Sequence, residues 1–260
     1  MALRLGEVIH HLVDSIQAAF QPGKRTSDVT RMVQGIIDYC KEHDLSGVLA
    51  FCDQEKAYDR VNWDYMFKVL EQLNMPDEFI NLVRLLLHDN NLLVKINGHT
   101  GESFRTKNGV KQGCGLSPLL YILVFQSLLS LLHTADGPDG SETPSYDGIQ
   151  RPPQRPGTQT STRTHAKAAA YADDLLAILR NSLQLPAFKK LISIFGRGSG
   201  ARVNWDKTNF LRIGTARSND PLPPSGTLNT PISPPTPSAN SEYTLALTSK
   251  STQLGTPASP

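Results

Sequence analysis

A chain of 260 residues has room for one large domain or two small ones, and for a substantial core. Apolar residues make up 39% and charged residues 19%, the latter against a usual ~25%; Pro, Gly, Ser and Thr fill the difference. The 26 basic and 24 acidic residues nearly cancel, so the total charge does not mark a polyanion binder. Cys40, Cys52 and Cys114 lie far apart without C-x-x-C spacing, which excludes a disulfide scaffold and argues against a zinc site. They are expected to be buried thiols in a reducing compartment. The N-terminus MALRLGEVIHH has no apolar core, so no signal peptide is read there. The longest apolar stretch, Leu116 to Leu132, is broken by Ser117, Pro118, Gln126, Ser127 and Ser130. A spanning helix needs about 20 mostly apolar residues, so a buried helix is the better reading. The expectation is a soluble, intracellular chain with no membrane partner.

In chain order, Leu5 to Ala19 has its apolar residues at the spacing of an amphipathic helix. Asp28 to His43 predicts a second helix with Asp28 as N-cap. Gly47 to Asp53 (GVLAFCD) is rich in β-formers and predicts a buried strand. Trp63 to Leu73 and Asp77 to His88 predict a helix pair broken at Pro76, and Asn91 to Lys107 predicts a hairpin around Gly98. Ser117 and Pro118 form an N-cap and first-turn pair opening a long buried helix. Ala168 to Leu179 reads as two short apolar strands around Asp173 and Asp174. The class is α+β.

Composition marks two further segments. Residues 134–165 hold Pro138, Pro144, Pro152, Pro153 and Pro156 and read as a loop insertion. From Gly214 to Pro260 the chain has nine of its 18 prolines and only four charged residues. Such a tail buries too little apolar surface to offset its ordering entropy, and disorder is expected for 214–260. Residues 166–213 carry eight basic side chains against three acidic ones, a local positive excess suited either to a phosphate backbone or to an ordinary solvated face.

The carboxylates carry the chemistry. Asp173 and Asp174 are flanked by apolar residues on both sides, where unpaired carboxylates cost several kcal/mol each. Either the hairpin turn holds them at a solvent edge or a cation meets them. Strand alternation keeps the two from pointing the same way, so one acts as direct ligand and the other as auxiliary. Asp53 stands at the exit of the predicted strand and meets them if the strands are neighbours. Carboxylates converging in this way suit hard divalent cations, Mg²⁺ in particular. A pair of such ions ~3.5–4 Å apart serves in-line phosphoryl chemistry. Asp59 reads as a structural residue, capping the following turn and pairing with Arg60. The stretch Asn108 to Leu119 (NGVKQGCGLSPL) is a Gly-rich loop, either an ordinary turn or one whose backbone approaches a flat ligand. It contains no P-loop.

Four motifs in order then stand together: F-x-D-x-x-K-A-Y-D-x-V, G-V-K-Q-G-C-x-L-S-P-L-L, A-Y-A-D-D and S-G-x-x-x-N-W-x-K-T. From about Leu3 to Ile213 the chain resembles the reverse transcriptases, and in detail the polymerases of LINE-type (non-LTR) retrotransposons. The stretch Gln17 to Lys24 and the Gly148-Ile149 pair fit the same pattern. The resemblance implies a right-hand polymerase palm with partial fingers, an antiparallel sheet backed by helices. It implies RNA-directed DNA polymerisation, with RNA template, DNA primer and dNTPs as partners. Asp53, Asp173 and Asp174 match the catalytic acids, with Asp53 and Asp173 holding two Mg²⁺ ions, for which Mn²⁺ is a substitute. Tyr58 matches the aromatic gate that crowds out a ribose 2′-hydroxyl. Gln112 and Gly113 match residues lining the nucleotide and template base, and Lys207 matches a lysine that neutralises the leaving pyrophosphate. On their own residues, Tyr58 also reads as a core aromatic and Lys207 as a solvated turn lysine.

The chain departs from the family pattern at Gly115, where Pro is usual, which loosens the loop. Upstream fingers, a thumb and an endonuclease are expected to be missing, so the chain reads as a truncated copy. The alternative is therefore a catalytically silent remnant that at most binds nucleic acid weakly. Tyr58 and the Y-A-D-D sequence argue against an RNA-dependent RNA polymerase. The site implies an intracellular setting, nuclear or cytoplasmic.

Overall fold

The computed structural model describes residues 1–88, 91–135, 146–150 and 165–215. Most of the expected Pro-rich insertion and the tail beyond residue 215 lie outside the described residues.

The chain opens with helix α1 (Ala2–Leu12), shorter than its apolar spacing predicts. Asp14 ends the helix. Its carboxylate accepts the Ile16 N–H at 3.1 Å, a local bond that competes with the helical ladder, while its own N–H is taken by Gln126 Oε1 at 2.8 Å. The chain then runs extended, and Gln17 forms a parallel bridge to Ala170. Helix α2 (Thr26–Glu42) begins at an Arg25 cap, not at Asp28; Asp28 sits in its first turn and its carboxylate accepts the Arg25 N–H at 2.8 Å.

Strand β1 (Ser46–Gln54) follows, then helices α3 (Trp63–Gln72) and α4 (Asp77–His88). Asn62, whose side chain accepts the Tyr65 N–H, caps α3. The predicted hairpin forms as two short exposed ladders. In the outer one β2 (Asn91–Leu92) pairs with β5 (Phe104–Arg105), and in the inner one β3 (Lys95–Ile96) pairs with β4 (His99–Thr100). Asn97 and Gly98 make its turn, both with positive φ.

Helix α5 (Ser117–Thr134) is apolar on every side and carries eleven buried residues, so it forms the centre of the core. Its cap is Leu116, with Ser117 and Pro118 inside the first turn. Among the described residues this is the one helix long and apolar enough to cross a membrane, and most of it is buried against protein.

Strands β6 (Ile149–Gln150) and β7 (His165–Ala166) close the base of the insertion. Strands β8 (Ala168–Tyr171) and β9 (Asp174–Leu179) form the expected hairpin. Helix α6 (Leu185–Ser199) and strand β10 (Val203–Gly214), which no local sequence signal predicts, complete the fold.

The main sheet is antiparallel with order β10-β1-β9-β8, which places β1 inside it. Its two faces follow the strand period of two. Val48, Ala50 and Cys52 of β1, with Ala168, Ala170, Leu175 and Ala177, join the large core made with α1, α3, α4, α5 and α6. Leu49 and Phe51, with Ala169, Leu176, Ile178 and Leu211, face α2 instead. β1 is apolar without interruption because both of its faces are covered. The sheet thus lies between a helical bundle and a single helix, an α+β architecture.

Candidate active site

Each acid is placed by the register of these strands. The β1–β9 pairing runs from Val48 opposite Leu179 to Cys52 opposite Leu175. One step further stand Asp53 and Asp174, on neighbouring strands at matching positions. Both are half-buried. They line a cavity of about 260 Å³ between α2 and the sheet, whose other walls include Val33, Phe51, Tyr171 and Leu176.

Lys207 lines the same cavity. The β1–β10 register jumps from Phe51 opposite Asn209 to Asp53 opposite Asn204, so residues 205–208 bulge from the ladder. Asn204 holds the bulge, its Oδ1 accepting the N–H groups of Asp206 at 3.2 Å and Lys207 at 3.3 Å.

Asp173 stands in the adjoining turn. Tyr171 pairs with Asp174, leaving Ala172 and Asp173 as a two-residue turn. Ala172 has φ +56°, a left-handed value that costs a residue with a Cβ about 1–2 kcal/mol. Gln54 Nε2 donates to the Asp173 carbonyl at 3.1 Å. The Asp173 charge acts on Tyr58 and Tyr121: burial first, then Asp173, pushes the Tyr58 phenol up to about 12. Tyr121, fully buried, is raised well above its ordinary value, by burial first and then by the Asp173 charge, with Tyr58 and Asp174 adding. The two rings stack at 5.0 Å and 9°, so α5 fixes the position of Tyr58.

The Gly-rich loop is pinned beside Tyr58. Gly109 N–H donates to Val61 O at 2.8 Å and Val110 N–H to Tyr58 O at 2.9 Å, while Trp63 Nε1 donates to Gly109 O at 2.7 Å. Gln112 and Gly113 lie further along this loop, both exposed. Cys114 is exposed too, which corrects the expectation of three buried thiols; Cys40 and Cys52 are buried as expected.

The sequence-derived residues thus fall into three groups. Asp53, Asp174 and Lys207 line the cavity, Asp173 stands in the hairpin turn with its charge reaching Tyr58, and Gln112 and Gly113 stand in the exposed loop. Among the described residues no three His, Cys, Asp or Glu side chains form a metal-holding cluster. The donor chemistry still suits Mg²⁺, which takes one or two carboxylates and completes its shell with water and substrate phosphate. Sequence reading assigned no role to Tyr121, Gln54 or Gln17, whose partners lie far away along the chain.

An antiparallel sheet with acids at a strand exit and on the adjoining hairpin, backed by helices, defines a polymerase palm. The chain belongs to the Reverse transcriptase (RNA-dependent DNA polymerase) family, whose model matches residues 1–246. Its relatives are non-LTR retrotransposon proteins. The Transposon TX1 uncharacterized 149 kDa protein of Xenopus laevis is 26% identical over 227 residues, covering 86% of this chain and 16% of that protein. The Pol polyprotein from the type-2 retrotransposable element R2DM of Drosophila melanogaster is 26% identical over 207 residues, covering 80% and 17%. An R2 type-1 element of Popillia japonica is 24% identical over 207 residues, covering 79% and 31%. The chain therefore spans less than a third of the length of each of these relatives. Among solved structures, apo telomerase from Candida tropicalis truncated from its C-terminal domain has a similar fold. The TM-score is 0.57 at 19% identity, over 84% of this chain and 41% of that one.

Proposed function

We propose that this chain forms the polymerising centre of an RNA-directed DNA polymerase, extending a DNA primer with dNTPs along an RNA template. The observation that carries this reading is the cavity that Asp53, Asp174 and Lys207 line together, in a chain of this family. In the step, the primer 3′-hydroxyl releases its proton to water and its oxygen bonds to the α-phosphorus of the dNTP. The bond from that phosphorus to the β-phosphate bridge breaks, and pyrophosphate leaves.

Asp53 and Asp174, with Asp173 at the adjoining turn, would hold two Mg²⁺ ions, with Mn²⁺ as a substitute. When bound, such ions lower the pKa of the attacking hydroxyl and offset the charge of the phosphates. Lys207 supplies a positive charge beside the carboxylates, suited to a departing pyrophosphate. Tyr58, held against Tyr121, crowds a ribose 2′-hydroxyl and so selects deoxynucleotides. Gln112 and Gly113 present an exposed polar edge and backbone to the nucleotide and template base. The basic excess of residues 166–213 offers contacts to phosphate backbones. Its substrates place the working protein inside the cell, in nucleus or cytoplasm.

Primer extension on an RNA template with dNTPs and Mg²⁺ tests this reading, with Asp53→Asn and Asp174→Asn beside the wild type. Each substitution is expected to cut the rate at least about 100-fold, the scale of losing one preorganised charge contact. A folded wild-type chain that extends nothing would return the account to a silent remnant.

A further inference from the structure

The A-Y-A-D-D hairpin has a buried anchor that its own strands do not supply. β8 is the outer strand of the sheet, and its free edge is covered by the extended residues 16–18. Ala170 is bonded there on both sides, its N–H to Ile16 O at 2.9 Å and its carbonyl to Ala18 N–H at 2.9 Å. Two residues on, at Ala172, the covering backbone is replaced by a side chain. Gln17 Oε1 accepts the Ala172 N–H at 2.9 Å, and Gln17 Nε2 donates to the Ala172 carbonyl at 3.0 Å. A carboxamide carries one donor face and one acceptor, so here it stands in for the peptide group of a neighbouring strand.

We infer that Gln17 is the positioning residue of the acid hairpin, holding Ala172 in its left-handed conformation and thereby aiming Asp173 and Asp174. The inference rests on the polymerase reading for what those acids do. Three observations join here. Gln17 is 0% exposed, in a stretch otherwise apolar from Ile16 to Ala19. Ala172 has φ +56° while Asp173 is not among the positive-φ residues, the pattern of a two-residue turn that favours Gly at its first position. Such a conformation persists in Ala when its surroundings over-determine it. Gln17 is itself fixed: its Oε1 also accepts the Ala19 N–H at 3.1 Å, and Gln21 Nε2 donates to its carbonyl and to Asp14 O. Gln126 of α5 takes the Asp14 N–H. Three glutamines therefore connect the acid-bearing turn to the central core helix. Neither Glu nor Lys supplies both a donor and an acceptor in its charged form, and Asn is one methylene too short.

The test follows amide hydrogen exchange and primer extension together. In the wild type, the Ala172 amide, which lies outside the strand ladders, is expected to be protected like that of Ala170. Exchange as fast as that of the exposed Gly98 turn would overturn the inference without any variant. In Gln17→Met, Ala172 exchange should rise at least about tenfold, the equivalent of one lost hydrogen bond, with the Ala50 amide unchanged. The kcat for extension should fall about tenfold or more, with the KM for dNTP changed less than about threefold. Adding Ala172→Gly, which adopts the turn without help, should restore most of that kcat; an ordinary packing loss at position 17 would not respond to it. Unchanged Ala172 exchange in Gln17→Met, or no restoration by Ala172→Gly, would refute the role. A wild type that extends no primer but loses Ala172 protection in Gln17→Met would overturn the polymerase reading and leave the clamp standing.

Discussion

Gly109→Ala tests how the Gly-rich loop is fixed beside Tyr58. Gly109 has φ +89°, and a Cβ there would stand 2.8 Å from the Asp59 carbonyl oxygen and 3.0 Å from its Cα. The left-handed conformation costs an alanine about 1–2 kcal/mol. The clash is with backbone, so the loop must shift, straining its hydrogen bonds to Val61 and Tyr58 at about 1 kcal/mol each. The sum is about 3–4 kcal/mol, or a fall in Tm of about 6–16 °C for a domain of this size. Gly98→Ala is the matched control, with φ +85° and nothing within 4 Å of its Cβ. It should cost the conformational part alone, about 1–2 kcal/mol. Urea denaturation followed by tryptophan fluorescence measures both variants, and Trp63, bonded to Gly109 O, reports the loop directly. If Gly109→Ala costs no more than Gly98→Ala, the close approach does not hold the loop.

Alkaline pH should unfold the protein progressively. Cys40, Cys52 and Tyr58 rise from their ordinary 9.0, 9.0 and 10.0 to about 11, about 12 and about 12, all through burial first. The unfolded chain then releases these protons before the folded one, so their contribution is full below pH ~9 and is lost between ~9 and ~12. Urea midpoints across that window check the slope; a flat profile would contradict the burial. Asp173→Asn should lower the Tyr58 value by removing its second cause, read by ultraviolet phenolate titration. The Cys114 thiol is lowered, chiefly by the Leu116 backbone N–H at the start of α5, with Ser117 and Lys111 helping. In the native chain Cys114 should react with a thiol reagent well before Cys40 and Cys52, and equal rates would contradict the fold around them.

The parts legible in the sequence were those with local signals. β1 announced itself by an uninterrupted apolar run, the exposed hairpin by Asn97-Gly98, and α5 by Pro118 ahead of a long apolar stretch. The acid hairpin was visible because two carboxylates interrupt apolar strands. What depends on distant partners was not legible. α1 is shorter than its spacing predicts because Val13 and Ile16 keep the period, while Asp14 ends the helix with a local bond to Ile16 and gives its own N–H to Gln126 on another helix. β10 escaped because its bulge at 205–208 breaks the alternation that marks a strand. α6 ends in R-G-S-G, which does not read as helix; Gly198 is needed there because a Cβ would stand 2.7 Å from the Tyr65 ring. At the site, sequence proposed three acids at one point. Strand pairing puts Asp174 at the start of β9 and Asp173 in the turn before it, and the cavity lined by Asp53, Asp174 and Lys207 joins parts of the chain that no local signal connects.

The central claim is that these carboxylates serve a hard cation together, and Mn²⁺ binding tests it most directly. Electron paramagnetic resonance titration with a dNTP present should show Mn²⁺ taken up by the wild type. Affinity should be at least about tenfold weaker in Asp53→Asn with Asp174→Asn, since each removes a charged oxygen ligand. Equal Mn²⁺ binding by the folded double variant, or none by the folded wild type, would contradict the account.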